Sequence, residues 1–299
     1  MNPVNKTWAV IALVCGFFVL MYALTHTSVI SVLQPEGLIA HKEYGLMLTA
    51  TALMLIIVLP VFALAAIVAY HYRATNTNAK YTPNWEHNVV EEFIWWSVPC
   101  VIIGILAMII WTSSHELDPF RPLTSTLRPI TVQVVALNWK WLFIYPEYGI
   151  ATLNYLEIPE HTPITFHITA DAPMNSFWIP QLAGQMYAMP GMTTLLHIIT
   201  DGTGSYRGSS ANFSGPGFSG MTFEVSAVSR PEFDQWVSSV QNGTSTLDTK
   251  RYSKLVEPSS HNLTASFAPV DTNLFNTIVQ KYMTPQTRAL DHSTAPMRM

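Results

Sequence analysis

Three long stretches of this 299-residue chain contain no charged side chain, and they restrict its possible folds more than any other feature. They are residues 7–35, 44–72 and 93–114. Their apolar cores, residues 8–24, 46–70 and 94–111, would extend about 26, 37 and 27 Å as helices. The hydrocarbon layer of a bilayer is about 30 Å thick. We therefore predict a transmembrane hairpin within residues 31–114, with helices over about 45–71 and 93–112; buried helices of a soluble protein rarely have uncharged runs this long.

The first apolar core has two interpretations that the residues leave open. Lys6 precedes it, as in a signal sequence or a signal anchor, and we assign residues 1–30 to one of these. Cys15 follows Val14, where a lipidation signal needs a small residue, so we do not expect a lipid anchor. Arg73 and Lys80 make the loop between the second and third cores cytoplasmic by the positive-inside rule. Everything after residue 114 is then predicted on the outer face.

From residue 129 the hydrophobic pattern changes to a period of two. Ile130, Val132 and Val134 alternate with Thr131 and Gln133, and residues 139–143, 164–169 and 223–226 repeat the pattern between Gly- and Pro-containing turns. Short strands with regular turn signals predict an antiparallel sandwich or barrel over residues 125–228, with Trp139 and Trp141 as half-buried strand residues. Residues 229–285 have aromatic-rich helical patterns, and residues 286–299 are predicted to be a mobile tail.

Charge and cysteine content exclude several classes of function. The formal net charge is -4, and without a basic surplus the chain is not expected to bind nucleic acid. Cys15 and Cys100 both lie in apolar cores, so no disulfide framework is predicted. We find no nucleophile–base pair, phosphate-binding loop or zinc spacing, and we expect no catalytic centre within the chain.

Histidine and methionine residues of the outer domain were the remaining candidates for a metal site. His161, His167 and His197 have no cysteine or carboxylate near them at ligand spacing, and we interpret them as structural or solvated residues. The methionines of the outer domain are interpreted as flexible packing residues. They are Met186, Met189, Met192 and Met221.

Five sequence runs carry a resemblance to a known family. They are KYTPNWEH at 80–87, NWKWLFIYPE at 138–147, MNSFWIPQ at 174–181, QMYAMPGM at 185–192, and YRG at 206–208 leading to FSGPGFSGM at 213–221. Together they resemble subunit II of the haem-copper respiratory oxidases, more narrowly that of cytochrome bo-type ubiquinol oxidases. The resemblance implies a membrane α-helical hairpin, an all-β cupredoxin-like sandwich in the periplasm and C-terminal aromatic-rich helices. It also implies a multi-pass protein of the bacterial inner membrane.

The function implied by this resemblance is that of a subunit in a larger enzyme. Such an oxidase oxidises ubiquinol, reduces oxygen to water and pumps protons, with its haems and copper in subunit I. This chain would be a cofactor-free structural and assembly subunit that caps subunit I. The implied partners are subunit I, smaller membrane subunits and membrane lipid, with ubiquinol reached through subunit I and no cytochrome c.

The related cytochrome c oxidases hold a dinuclear copper-A centre in this sandwich, and its ligand pattern can be placed on this chain. The resemblance places Ser210 and Ser214 at the two cysteine positions, and Asn175 and Phe218 at the two histidine positions. Met221 keeps the family's methionine. Copper-A requires bridging thiolates, which soft copper prefers. We therefore expect these five positions to bind no metal.

One carboxylate has a second interpretation through the same family. Glu92, with Trp96 four residues later, matches the position that marks the mouth of a proton-uptake channel shared with subunit I. The simpler interpretation is that a helix N-terminus favours an acidic residue. Both interpretations stay open at this point.

Two other functions compete with the oxidase subunit. One is a free-standing membrane-anchored binding or assembly module built on a cupredoxin-like fold. The other is a cytochrome c oxidase subunit with an unusual metal site, against which the missing cysteines argue.

Overall fold

The computed structural model describes Gly16, Tyr22, residues 30–80 and residues 87–283. The predicted mobile tail lies outside these residues, and so does the predicted signal sequence or anchor except for Gly16, Tyr22 and Ile30. The chain divides into two compact units, Glu43–Asp118 and a second unit formed by Met1–Lys42 with Pro119–Met299.

Two long apolar helices confirm the predicted membrane hairpin. Helix α1 covers Leu38–His71 and helix α2 covers Val89–Glu116, and both are long and apolar enough to cross a membrane. The Asn88 side chain accepts hydrogen bonds from the backbone N–H groups of Val90 and Glu91, and so caps α2. Each helix contains an internal proline, which membrane helices tolerate when neighbouring helices satisfy the freed carbonyls.

The outer domain consists of two packed sheets and confirms the predicted cupredoxin-like sandwich. The six-stranded sheet has the order β11-β3-β2-β1-β5-β8, and the five-stranded sheet has the order β4-β10-β9-β6-β7. Two pairs, β1 with β5 and β4 with β10, are parallel, so the sandwich is not wholly antiparallel as predicted. The reason is that the chain changes sheets between these strands. The strands are β1 Ile130–Leu137, β2 Lys140–Tyr145, β3 Ile150–Leu153, β4 Tyr155–Pro159, β5 Ile164–Ala170, β6 Asn175–Trp178, β7 Met186–Ala188, β8 Thr194–Ile198, β9 Gly204–Ser210, β10 Thr222–Val228 and β11 Ala265–Phe267.

Aromatic rings fill the space between the two sheets. Trp141 from the six-stranded sheet meets Phe177 and Phe223 from the other sheet edge-on, with ring centroids 5.4 and 5.8 Å apart. Phe177 and Phe223 stack on each other at 5.2 Å. Gly208 faces this layer, and a Cβ there would lie 2.0 Å from the Phe223 ring, so only glycine fits. Trp141 is fully buried, which corrects its prediction as a half-buried residue.

Three helices follow β10: the first packs into the core between the two sheets, and the other two cover the outer face of the six-stranded sheet. They are α3 Arg230–Gln241, α4 Thr249–Val256 and α5 Leu274–Lys281. Phe275 and Ile278 of α5 form a second apolar core with Leu142 and Ile144 of β2. Every residue of β2 is therefore buried, although its sequence alternates.

Lys140 is the clearest departure from the alternating pattern. In the alternation of residues 139–143 it lies on the side opposite Trp141 and Phe143, yet it is only 2% exposed. Its Nζ donates hydrogen bonds to the carbonyl oxygen of Glu257 (2.8 Å) and to the Ser259 hydroxyl (2.5 Å). Burial lowers the pKa of Lys140, and the nearby Glu257 carboxylate opposes this shift. The lysine thus attaches the segment after α4 to the sheet.

Candidate functional site

Asn175 and Ser210, two of the predicted copper-A positions, meet on the neighbouring strands β6 and β9. The Ser210 hydroxyl donates a hydrogen bond to Asn175 Oδ1 at 3.0 Å, and both residues are buried. The Ser210 hydroxyl also lies 3.3 Å from the carbonyl oxygen of Asn212. The backbone N–H of Ser210 donates to the carbonyl oxygen of Met221 at 3.1 Å. The fold therefore brings Asn175, Ser210 and Met221 together, as a neutral hydrogen-bonded group.

The other two predicted positions, Ser214 and Phe218, lie on the connection between β9 and β10. Phe218 belongs to a short 3-10 helix, Phe218–Gly220, and its ring packs against Phe213 with centroids 5.5 Å apart. The Ser214 hydroxyl oxygen is buried and has no hydrogen-bond partner among the described residues. Neither side chain makes a hydrogen bond to Ser210 that would join the two groups in the described part of the chain.

Trp139 holds this connection against the end of β2. It lies in the two-residue turn between β1 and β2 with φ 62°, which corrects its prediction as a strand residue. Its indole N–H donates to the carbonyl oxygen of Ser214 at 3.1 Å. A Cβ at Gly217 would lie 2.3 Å from the indole ring, so glycine lets the backbone lie against the tryptophan. The alternating pattern concealed this turn, because Trp139 continues the apolar positions of β2.

The donor atoms at these five positions do not fit a copper-A centre. Copper-A needs soft thiolate and imidazole ligands, whereas Asn175, Ser210 and Ser214 offer neutral oxygens and Phe218 offers no ligand atom. The Ser210 hydroxyl is moreover engaged as a donor to Asn175. In the described part of the chain, no group of three or more His, Cys, Asp or Glu side chains is placed to hold a metal ion.

The three histidines of the sandwich have different surroundings. His161 is exposed, and its Nε2 lies 3.8 Å from Glu160. His197 is buried, with its Nδ1 3.1 Å from the Thr165 hydroxyl. Burial lowers the pKa of His197 and of His167, and the charge of His197 lowers the latter further. Both imidazoles are therefore favoured in the neutral form.

Asp171 is a functional candidate that sequence reasoning missed. It follows β5 and its side chain is 1% exposed, yet three groups from the C-terminal region bind its carboxylate. Tyr252 and Tyr282 donate hydroxyl hydrogen bonds of 2.6 Å each, and Lys281 Nζ lies at 2.7 Å. Burial alone would raise the pKa of Asp171, but these hydrogen bonds outweigh it and hold the pKa below its usual value. The sequence does contain a signal for this role, because Asp171 is a single charged residue directly after an apolar strand.

Glu92 lies in the first turn of α2, at the end of the helix where backbone N–H groups favour an anion. Its Oε1 is 3.1 Å from Nδ1 of His87, and both side chains are largely exposed. Trp96, the residue paired with it by spacing, is 75% exposed. Glu91, its neighbour, faces α1 and lines an apolar cavity between the two helices.

Comparisons with known proteins agree with this architecture. A family model described as the periplasmic domain of cytochrome c oxidase subunit II matches residues 149–228, and one described as the COX aromatic rich motif matches residues 241–286. The chain is 49% identical over 248 residues to cytochrome bo(3) ubiquinol oxidase subunit 2 of Pseudomonas aeruginosa, covering 83% of this chain and 75% of the relative. It is 46% identical over 270 residues to ubiquinol oxidase subunit 2 of Acetobacter aceti, covering 90% and 87%.

Among solved structures, the periplasmic domain of subunit II of cytochrome oxidase from Bradyrhizobium japonicum is similar at 18% identity with a TM-score of 0.37. That match covers 40% of this chain and 96% of the solved domain.

Proposed function

This chain belongs to the family of ubiquinol oxidase subunit 2, and we propose that it serves as subunit II of a proton-pumping oxidase that oxidises ubiquinol and reduces oxygen to water. It is a subunit of an oxidoreductase and has no catalytic centre of its own. Its two apolar helices anchor it in a membrane, and its sandwich is the periplasmic domain. The finer assignment to the bacterial inner membrane, with both helices spanning it, fits the organisms of its relatives.

The observation that carries the proposal is the hydrogen bond between Ser210 and Asn175. In the related cytochrome c oxidases these positions hold copper-A ligands, and copper-A receives electrons from cytochrome c. Here a hydroxyl donates to an amide oxygen, so the two side chains satisfy each other. The chain would hold no cofactor and would take no electrons from cytochrome c. Electrons from a lipid-soluble quinol would reach subunit I directly.

The partners follow from this role. As subunit II of a haem-copper oxidase the chain associates with subunit I, and we propose that it also contacts smaller membrane subunits and supports assembly. The hydrogen bond between Ser210 and Asn175 and the buried aromatic layer support a structural role, because they keep the sandwich rigid without a metal.

Oxygen uptake by the intact complex tests the proposal. The complex is purified in mild detergent through a tag on this chain and is offered a ubiquinol analogue or reduced cytochrome c. We expect haem absorption bands and oxygen uptake with the quinol alone. Uptake with cytochrome c would contradict the interpretation of Ser210 and Ser214. An intact tagged chain without haem or uptake would instead support the free-standing binding module.

Glu92 is proposed as a proton-collecting group at the cytoplasmic end of α2. Its carboxylate supports this role because it is exposed to water and lies 3.1 Å from the exposed His87 side chain. Glu92→Gln is expected to slow proton uptake and turnover with unchanged haem content. The matched control is Glu147→Gln, which removes an exposed carboxylate 3.9 Å from Arg128 in the sandwich. Equal turnover in both variants would refute the role.

A further inference from the structure

The membrane hairpin contains an apolar cavity of about 330 Å³ between α1 and α2. Pro60 of α1 and Pro99 of α2 both line it. A proline side chain closes back on its own backbone and reaches less far than a leucine or an isoleucine. Prolines on both facing helices therefore leave a gap between them, which has the size of a small-ligand site.

The walls of the cavity are hydrocarbon except at one end. Ile57 and Leu64 line it from α1, and Ile94 and Val98 line it from α2. Among the described residues that line the cavity, Glu91 alone carries a charge. Glu91 lies in the first turn of α2, whereas the periplasmic domain follows the other end of that helix. The carboxylate thus marks the end of the cavity that reaches the cytoplasmic headgroup layer.

A gap of this size inside a bilayer is filled, because protein interiors and lipid chains both pack densely. Hydrocarbon walls exclude water, and lipid chains are the apolar material of the bilayer that reaches the part of the hairpin left uncovered by subunit I. From Glu91 to Pro99 the helix rises about 12 Å, which is a suitable depth for the upper part of one acyl chain. An anionic headgroup would be repelled by Glu91, whereas an ammonium group would be attracted. Trp95, one helical turn from Glu91, also lines the cavity, and a tryptophan ring is the aromatic group that attracts cations best.

We propose that this cavity binds one acyl chain of a phospholipid whose headgroup carries an ammonium, with that ammonium at the Glu91 carboxylate. Phosphatidylethanolamine has this chemistry, and it is the probe for the test. The proposal rests on the membrane location of the hairpin and not on the quinol oxidase reaction, so the two can fail separately.

Lipid retention by the purified complex provides the test. The complex is exchanged into nanodiscs with equal amounts of phosphatidylethanolamine and phosphatidylglycerol, released into detergent and analysed by native mass spectrometry. Val61→Trp places an indole in the cavity, and Phe62→Trp is its control, since Phe62 is 70% exposed and does not line it. Glu91→Gln removes the charge and leaves the apolar walls unchanged.

The wild-type complex and Phe62→Trp are expected to retain one phosphatidylethanolamine more than Val61→Trp. Glu91→Gln is expected to keep a bound lipid. Its preference for phosphatidylethanolamine over phosphatidylglycerol should fall about fivefold, which is the contribution of a partly exposed ion pair. The proposal is overturned if all complexes retain equal numbers of this lipid. It is also overturned if Val61→Trp releases ubiquinone instead, or if Glu91→Gln leaves the headgroup preference unchanged. Should Val61→Trp fail to assemble, the Glu91→Gln comparison decides.

Discussion

Replacing Asp171 should weaken the docking of α4 and α5 on the sandwich. Its carboxylate is the common acceptor for groups 81, 110 and 111 residues away in the sequence, namely Tyr252, Lys281 and Tyr282. Tyr252 belongs to α4, whereas Lys281 and Tyr282 lie at the end of α5. No other contact to a buried charge joins both helices to the sandwich in the described part of the chain. The carboxylate is therefore a shared polar anchor for both helices, in addition to the apolar core that they form with the six-stranded sheet.

The expected cost can be worked out from the three contacts. Hydrogen bonds to a charged group contribute about 1.5–3 kcal/mol each. Tyr282 is 43% exposed and Lys281 is half exposed, so water replaces part of their contribution, and an exposed ion pair adds only about 0–1 kcal/mol. Asp171→Ala should then destabilise the docked helices by about 3–4 kcal/mol. Asp171→Asn keeps one acceptor oxygen and should cost about 2 kcal/mol.

Amide hydrogen exchange of Leu274–Lys281 in the assembled complex measures this cost locally. A loss of about 3 kcal/mol corresponds to exchange roughly 150-fold faster in Asp171→Ala. Lys281→Met is the control, expected to change exchange by less than about fivefold. If Asp171→Ala accelerates exchange no more than Lys281→Met does, the carboxylate is not what holds the helices.

The same contact gives a direction for pH dependence. Because the folded pKa of Asp171 is lowered, its contribution is fully present above the unfolded value of about 3.9. The contribution is lost as the pH falls through the lower folded pKa. Acid should therefore lower the protection of α5 amides in the wild type, measured as exchange relative to the intrinsic rate at each pH, and Asp171→Asn should show a smaller acid effect.

Three further substitutions probe the packing of the sandwich, each by thermal or urea unfolding of the complex. Gly208→Ala puts a Cβ into the Phe223 ring and should lower the free energy of unfolding by about 2–3 kcal/mol. The double variant with Phe223→Ala should lose less stability than the sum of the two single variants, because the ring that clashes is gone. Full additivity would contradict the clash. Gly217→Ala presses on the indole of Trp139 and should cost about 1–3 kcal/mol, with hydrogen exchange rising in residues 211–221 but not in β1. The lowered pKa of His197 predicts stability that is present above about pH 6.5 and lost as the pH falls through the folded pKa. His197→Gln should flatten that slope, and an unchanged slope would assign it to other groups.

The structure shows what occupies the copper-A positions, whereas the resemblance only located them in the sequence. Sequence comparison alone says that thiolates are missing. The fold adds that Ser210 and Asn175 are hydrogen-bonded to each other, whereas Ser214 and Phe218 lie on the connection held by Trp139. The two serines sit only four residues apart, yet one is on a strand and one is in a loop, which no residue pattern indicates.

Several features were accessible from the sequence because they depend on neighbouring residues. The membrane helices follow from uncharged runs long enough to cross a bilayer, and the strands of the sandwich follow from alternation between turns. The loss of copper-A thiolates is likewise a matter of which residues are present. These properties require no knowledge of what packs against what.

Other features were decided only by tertiary structure. Lys140 is buried because α5 and the segment after α4 cover a strand face that alternation assigns to solvent. Trp139 lies in a turn, and its indole N–H donates to the connection between β9 and β10, which is 75 residues away in the sequence. Asp171 joins elements more than 80 residues apart, and its partners cannot be identified from spacing. The local periodicity of a sequence shows which residues prefer burial. Which element covers each face depends on long-range contacts, and these form only when the chain is folded.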